Sequence, residues 1–167
     1  TFKSPPQEAH FRKLSEKFWP GPLTILFQKK PVIPDLATSG LPEVAIRMPH
    51  HPMAQALIDE VGKPLAAPSA NKFGSMSPTS AEHVQKELGS LVPLVLDGGS
   101  CTIGVESTVI RIHDDSIEIL RPGGVSKEQL EEATGLKVKL TENPHRGFSS
   151  SPGTLENHYA PKTKLFL

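Results

Sequence analysis

Four polar turns carry the residues of this chain that are equipped for chemistry. Arg47 follows the short run Val44-Ala45-Ile46; Ser69-Ala70-Asn71 follows the apolar segment 64–68; Asp97-Gly98-Gly99 follows Leu94-Val95-Leu96; and Arg121-Pro122-Gly123-Gly124 follows the strand pattern 117–120. Together they offer two guanidinium groups, a hydroxyl, an amide and glycine-flanked backbone N–H groups. A guanidinium grips a carboxylate or phosphate with two parallel hydrogen bonds, and neutral donors complete the shell. In open α/β sheets, ligands sit in the crevice outside strand carboxyl ends, so the pattern brings all four turns to one cleft built for anions.

Other chemistries lack their residues. No G-x-x-x-x-G-K-[ST] loop and no G-x-G-x-x-G after a strand occurs, which removes the common nucleotide cradle and the dinucleotide fold. No G-x-S-x-G elbow supports a serine hydrolase. His50 and His51 are adjacent, diverge at a strand-to-helix turn and have no partner at metal-ligand spacing, so they read as surface or capping residues. Cys101 is the only cysteine, which excludes an internal disulfide and fits a reducing compartment, with the cytoplasm as the default. Eighteen Lys and Arg balance 18 Asp and Glu, so no overall field steers the molecule onto nucleic acid. No apolar run reaches the roughly 20 residues of a membrane span. Thr1 in place of an initiating Met suggests a fragment.

The elements that must position these turns alternate between helical and strand patterns, punctuated by 17 Pro and 13 Gly, and this reads as an α/β domain. Phe11, Leu14 and Phe18 give residues 7–18 a helical spacing, stopped by Trp19-Pro20-Gly21-Pro22; a strand over 23–27 follows. Residues 31–42 form a broken loop before a strand at 44–46. Met53, Ala56, Leu57 and Val61 predict a helix over 52–61, and 79–88 is a second, capped by Thr79 or Ser80. Leu94-Val95-Leu96 reads as a buried strand. Residues 107–112 and 117–120 flank Asp114-Asp115 as a hairpin, and 127–133 is a helix with Ser126 and Gln129 as a capping box and Gly135 as its stop. Residues 141–153 are rich in Ser, Pro, Gly and Asn and read as a linker.

Several of these segments carry a family resemblance. Trp19-Pro20-Gly21-Pro22-Leu23-Thr24, Val44-Ala45-Ile46-Arg47-Met48-Pro49, Ala67-Pro68-Ser69-Ala70-Asn71, Ser77-Pro78-Thr79, Asp97-Gly98-Gly99, Gly104-Val105-Glu106-Ser107-Thr108-Val109 and Ile119-Leu120-Arg121-Pro122-Gly123-Gly124 resemble successive blocks of the YrdC-type threonylcarbamoyl-AMP synthases, in order and with similar spacing. The resemblance covers about residues 18–140, and Ser151-Pro152-Gly153 with His158-Tyr159-Ala160-Pro161 resembles the linker of two-domain members. It implies a twisted mixed sheet with flanking helices, residues 1–140 forming a YrdC-like domain without its N-terminal part, and 141–167 a linker towards a further domain.

The implied activity is that of a nucleotidyltransferase. L-threonine and bicarbonate form a carbamate that attacks the α-phosphate of ATP, giving threonylcarbamoyl-AMP and pyrophosphate, and a separate complex transfers the threonylcarbamoyl group to tRNA. By the same resemblance Arg47, Ala67 and Ser107 bind L-threonine, while Ser69, Asn71, Ser77, Arg121, Glu43 and His158 bind ATP, Glu43 through its backbone and His158 as part of a lid. Mg²⁺ is expected with the ATP, and Asp97 and Glu106 are the candidate ligands. The family's upstream K-x-R and threonine-rich blocks have no counterpart in residues 1–18, so the 167 residues alone are expected to be inactive. Two other functions share the fold: a non-catalytic module for double-stranded RNA, for which this chain has no basic stripe and only one Trp and one Tyr, and a carbamoyl-adenylating domain of hydrogenase maturation.

Overall fold

A computed structural model of the chain describes residues 2–72 and 74–141. The linker, with His158 and the Ser151-Pro152-Gly153 segment, lies outside the described residues. Ser4 caps the first helix, α1 (Pro5–Phe18), by accepting from the Gln7 amide, and Pro5 occupies the first turn, where its missing N–H costs nothing. The chain then enters β1 (Leu23–Gln28), turns through a short 3₁₀ segment at Asp35–Thr38, and returns as β2 (Glu43–Ile46). Two helices follow, α2 (Pro52–Val61) and α3 (Ala81–Leu88). The hairpin β3 (Thr108–Ile112) and β4 (Ser116–Arg121), helix α4 (Lys127–Thr134) and β5 (Lys137–Leu140) complete the order.

The five strands form one mixed sheet in the order β2-β1-β3-β4-β5. β1 pairs antiparallel with β2 and parallel with β3; β3 and β4 are antiparallel, and β4 and β5 parallel. On one face Leu23, Ile25, Ile110, Ile117 and Val138 join Leu14 of α1 and Leu130 of α4 in a core with almost no solvent contact. Leu26, Val109 and Leu120 form a smaller cluster. The alternation of side chains along β1 separates the two, sending Leu23 and Ile25 one way and Thr24 and Leu26 the other.

Most of the expected elements are present. The α2 bounds coincide with those read from the apolar spacing, Ser80 is the cap of α3, and the Ser126–Gln129 capping box closes in both directions. Gly135 ends α4 in the left-handed conformation, at φ 71°. One expectation is corrected. Leu94-Val95-Leu96 is neither a strand nor buried: Leu94 is 74% and Leu96 52% exposed. An apolar run becomes a strand only when a neighbour supplies its ladder, and none of the described strands pairs with this one. The edge strand β5, by contrast, lies beyond the elements that the sequence pattern assigns; its Lys-Val-Lys-Leu pattern buries only Val138. Among the described residues no helix is long and apolar enough to cross a membrane.

Candidate active site

The mixed topology decides where the functional residues meet. Because β2 and β4 run against β1 and β3, the ends of β2 and β4 lie beside the beginnings of β1 and β3. Arg47, just beyond β2, and Arg121, the last residue of β4, therefore arrive at the same sheet end as Ser107, the residue before β3. The Pro22 carbonyl accepts from the Thr108 amide at 3.0 Å and the Met48 carbonyl from the Gly21 amide at 2.9 Å, which stitches these strand ends together.

Ser107 is buried, and its hydroxyl lies 2.7 Å from the Thr24 hydroxyl, which projects from β1. Arg121 wraps around Ser107: Nε and Nη2 donate to the Ser107 carbonyl at 3.2 and 2.9 Å, and Nη2 also reaches the Ser107 hydroxyl at 3.1 Å. Its remaining terminal nitrogen, Nη1, forms an ion pair with Glu106 Oε2. The other oxygen of Glu106 accepts from the Ser77 hydroxyl at 2.8 Å, which joins the 69–77 loop to the sheet. Glycine is required behind this network. A Cβ on Gly123 would lie 2.3 Å from the Glu106 carbonyl oxygen and 2.5 Å from the Thr108 nitrogen, so the 122–124 turn can press against β3 only without a side chain.

Arg47 is placed differently. Its Nε donates to the Gly21 carbonyl at 3.0 Å, and it makes no ion pair among the described residues. Loss of solvent, and then repulsion from the Arg121 charge, draw the Arg47 guanidinium below its ordinary value, with Cys101 acting in the opposite direction. A guanidinium near a second cation, with no carboxylate paired to it among the described residues, is an arrangement that an incoming anion relieves.

The 69–77 loop is held from within. Asn71 donates through its amide to the Ser75 carbonyl at 2.9 Å and the Lys72 carbonyl at 3.2 Å, and the Asn71 N–H donates to the Ser69 carbonyl. The Oδ1 atom of Asn71 is buried without a hydrogen-bond partner among the described residues. Ser69 and Ala67 are exposed on this loop's approach. On the other side of the turn at 97–99, His51 caps α2 by accepting from the Met53 amide, while its Nε2 lies 3.1 Å from the Gly98 carbonyl oxygen. The capping role expected for this histidine pair thus falls to His51.

Glu43 does not join the cluster. It stands at the opposite end of β2 from Arg47, where its carboxylate takes Arg111 Nη2 at 2.8 Å and Nε at 3.3 Å. The candidate Mg²⁺ ligands fare similarly. Glu106 is committed to Arg121 and Ser77, and Asp97 Oδ1 accepts from the Gly99 amide within its own turn at 2.9 Å. No group of three or more His, Cys, Asp or Glu able to hold a metal occurs among the described residues. These residues do not build a magnesium site, and the chemistry below runs through none. Thr24 is not among the site residues that the sequence singles out; its one signal is a hydroxyl within the apolar stretch 23–27.

Known proteins resemble this chain in sequence and fold. Residues 2–123 match the sequence model of the Sua5, YciO and YrdC family, described as telomere recombination. A threonylcarbamoyl-AMP synthase of Bacillus subtilis is 47% identical over 156 residues, which covers 92% of this chain and 45% of that protein. One from Pyrococcus abyssi is 40% identical over 168 residues, 99% of this chain and 48% of that protein. The chain thus spans less than half the length of these two relatives. Among solved structures, P. abyssi Sua5 complexed with L-threonine superposes with a TM-score of 0.74 at 44% identity, covering 82% of this chain and 40% of that one. YciO of E. coli gives 0.62 at 26% identity, over 72% and 58% of the two chains. With the mixed sheet, the seven sequence blocks and the matched span in agreement, this chain belongs to the Sua5/YciO/YrdC family.

Proposed function

We propose that this chain provides the threonine- and nucleotide-binding wall of a threonylcarbamoyl-AMP synthase, a nucleotidyltransferase that makes threonylcarbamoyl-AMP and pyrophosphate from L-threonine, bicarbonate and ATP. The observation that carries this reading is Arg47: its Nε is anchored to the Gly21 carbonyl at 3.0 Å, it has no ion pair among the described residues, and it arrives at the same sheet end as Arg121. The names of the B. subtilis and P. abyssi relatives, and the threonine complex of P. abyssi Sua5, supply the chemical identity of the anion.

In this scheme Arg47 takes the threonine carboxylate in its fork, and Ser107, held from behind by Thr24 and Arg121, orients the amino acid beside the Ala67 backbone. Ser69, Asn71, Ser77 and Arg121 take the nucleotide. The unpartnered Oδ1 of Asn71 supports this, since a buried polar atom is costly until something satisfies it. The reaction needs no protein nucleophile. A carbamate oxygen forms the new bond to the α-phosphorus of ATP, the bond from that phosphorus to the bridging oxygen breaks, and pyrophosphate leaves with the electron pair. The protein's share is to align these atoms and to offset negative charge. The product then passes to a separate transferase that acts on tRNA, which gives the enzyme an indirect RNA partner and a cytoplasmic place of work.

The test is pyrophosphate release by the full-length protein supplied with ATP and bicarbonate, with and without L-threonine, and the mass of the adenylated product. Release that depends on threonine and yields threonylcarbamoyl-AMP supports the reading. Release indifferent to threonine, or supported equally by carbamoyl phosphate, contradicts it.

A further inference from the structure

Glu106 occupies an unexpected place for an acidic residue. A carboxylate facing the phosphates of a bound nucleotide would repel them, yet this one sits between Ser77 and Arg121, two residues assigned above to the nucleotide. Each oxygen is committed. Oε1 accepts from the Ser77 hydroxyl at 2.8 Å and Oε2 pairs with Arg121 Nη1, with the Glu106 and Arg121 side chains only 21% and 16% exposed. The backbone is fixed as well, because the Glu106 carbonyl accepts from the Gly124 amide at 2.9 Å and is pressed by Gly123.

We infer that Glu106 is a positioning residue for the nucleotide side of the site, holding the Arg121 fork and the Ser77 hydroxyl in one arrangement although it does not itself meet the ligand. This rests on the functional reading above and deepens it. The geometry supplies the reason. Arg121 and Ser77 come from different segments, the end of β4 and the loop before α3, and Glu106 contacts both. With Glu106 in place, three of the guanidinium's donors go to Ser107 and one to the carboxylate, so the plane of the fork is defined. Without it, Nη1 loses its counter-charge and the loop carrying Ser77 loses this tie to β3. A pair serving stability alone would shift the melting temperature and leave ligand affinities unchanged.

The experiment measures binding of a non-hydrolysable ATP analogue to the full-length protein by calorimetry, for wild type, E106A and E106Q, each also combined with R121A. E106A is expected to weaken the analogue about ten-fold, the scale of one charged hydrogen-bonding partner. E106Q, which keeps an acceptor for Ser77 but loses the charge, weakens it less. In the R121A background, adding E106A changes affinity by no more than about two-fold, because the residue through which it acts is gone. An unchanged or tighter affinity in E106A overturns the inference, as does an undiminished effect in the R121A background. If E106A does not fold, E106Q carries the same comparison. Wild type that binds no analogue brings down the functional reading and this inference together; wild type that binds, with E106A indistinguishable from it, removes the inference alone.

Discussion

Replacing Gly123 by Ala puts one methyl group where the site has no room for it. The added Cβ would lie 2.3 Å from the Glu106 carbonyl oxygen, 2.5 Å from the Ser107 carbonyl carbon and 2.5 Å from the Thr108 nitrogen. All three are backbone atoms at the start of β3, so no side chain can swing aside. Restoring an ordinary contact of roughly 3.5 Å requires the turn and the strand start to part by about 1 Å. The strand start carries Ser107, and the turn directly follows Arg121, so the separation is imposed on the hydrogen bonds of 2.9 to 3.2 Å that join them. Overpacking of this kind costs about 1–3 kcal/mol, which for a domain of this size lowers the melting temperature by roughly 2–4 °C per kcal/mol. The effect on activity is larger, since a displacement of about 1 Å in positioning groups reduces rate by the order of 100-fold. Threonine-dependent pyrophosphate release and a thermal melt of the full-length G123A protein check both. Wild-type activity with an unchanged melt would show that the turn does not set the geometry of Ser107 and Arg121.

Other consequences follow from the same contacts. T24V keeps the shape of the β1 side chain but removes the buried hydroxyl 2.7 Å from Ser107; urea denaturation should show a loss of about 1 kcal/mol, and no loss would mean that the pair contributes nothing. Burial by itself raises the Glu118 carboxyl, but hydrogen bonds from Thr141 and Arg111, with the Arg111 charge and His113, outweigh it and hold the group below its ordinary value. The stability it adds is therefore present above the unfolded carboxyl value of about 4.3 and is lost as pH falls through the lower folded value. E118Q should melt with a shallower pH dependence than wild type between the unfolded and the lower folded value, and identical acid limbs would contradict the assignment.

Much of this architecture was legible because local chemistry agreed with the global fold. Asp114-Asp115 marked the turn of the hairpin, the spacing of Met53, Ala56, Leu57 and Val61 gave α2, and Ser126 with Gln129 opened α4. The arrival of Arg47 and Arg121 at strand ends was legible because each follows a strand-like pattern. What the sequence did not reveal depends on partners remote along the chain. Leu94-Val95-Leu96 has the composition of a strand but no described neighbour to pair with, whereas Lys137–Leu140, apolar at only two of its four positions, pairs with β4. Glu106 stood out only as a carboxylate, a possible metal ligand; the spacing of 15 residues to Arg121 conceals a contact that exists because β3 and β4 fold back on each other. Glu43 shows the converse. Four residues before Arg47 in sequence, it is carried by an extended strand to the far end of the sheet, where Arg111 holds it.

The central claim is that Arg47 receives the carboxylate of threonine. Titration of L-threonine and, separately, of an ATP analogue into full-length wild-type and R47A proteins tests it most directly. Loss of one bidentate, charge-assisted contact predicts threonine affinity lower by about ten-fold or more, with nucleotide affinity changed by less than about three-fold. Equal weakening of both ligands, or threonine affinity untouched, would contradict the assignment of this arginine and the reading of the site built on it.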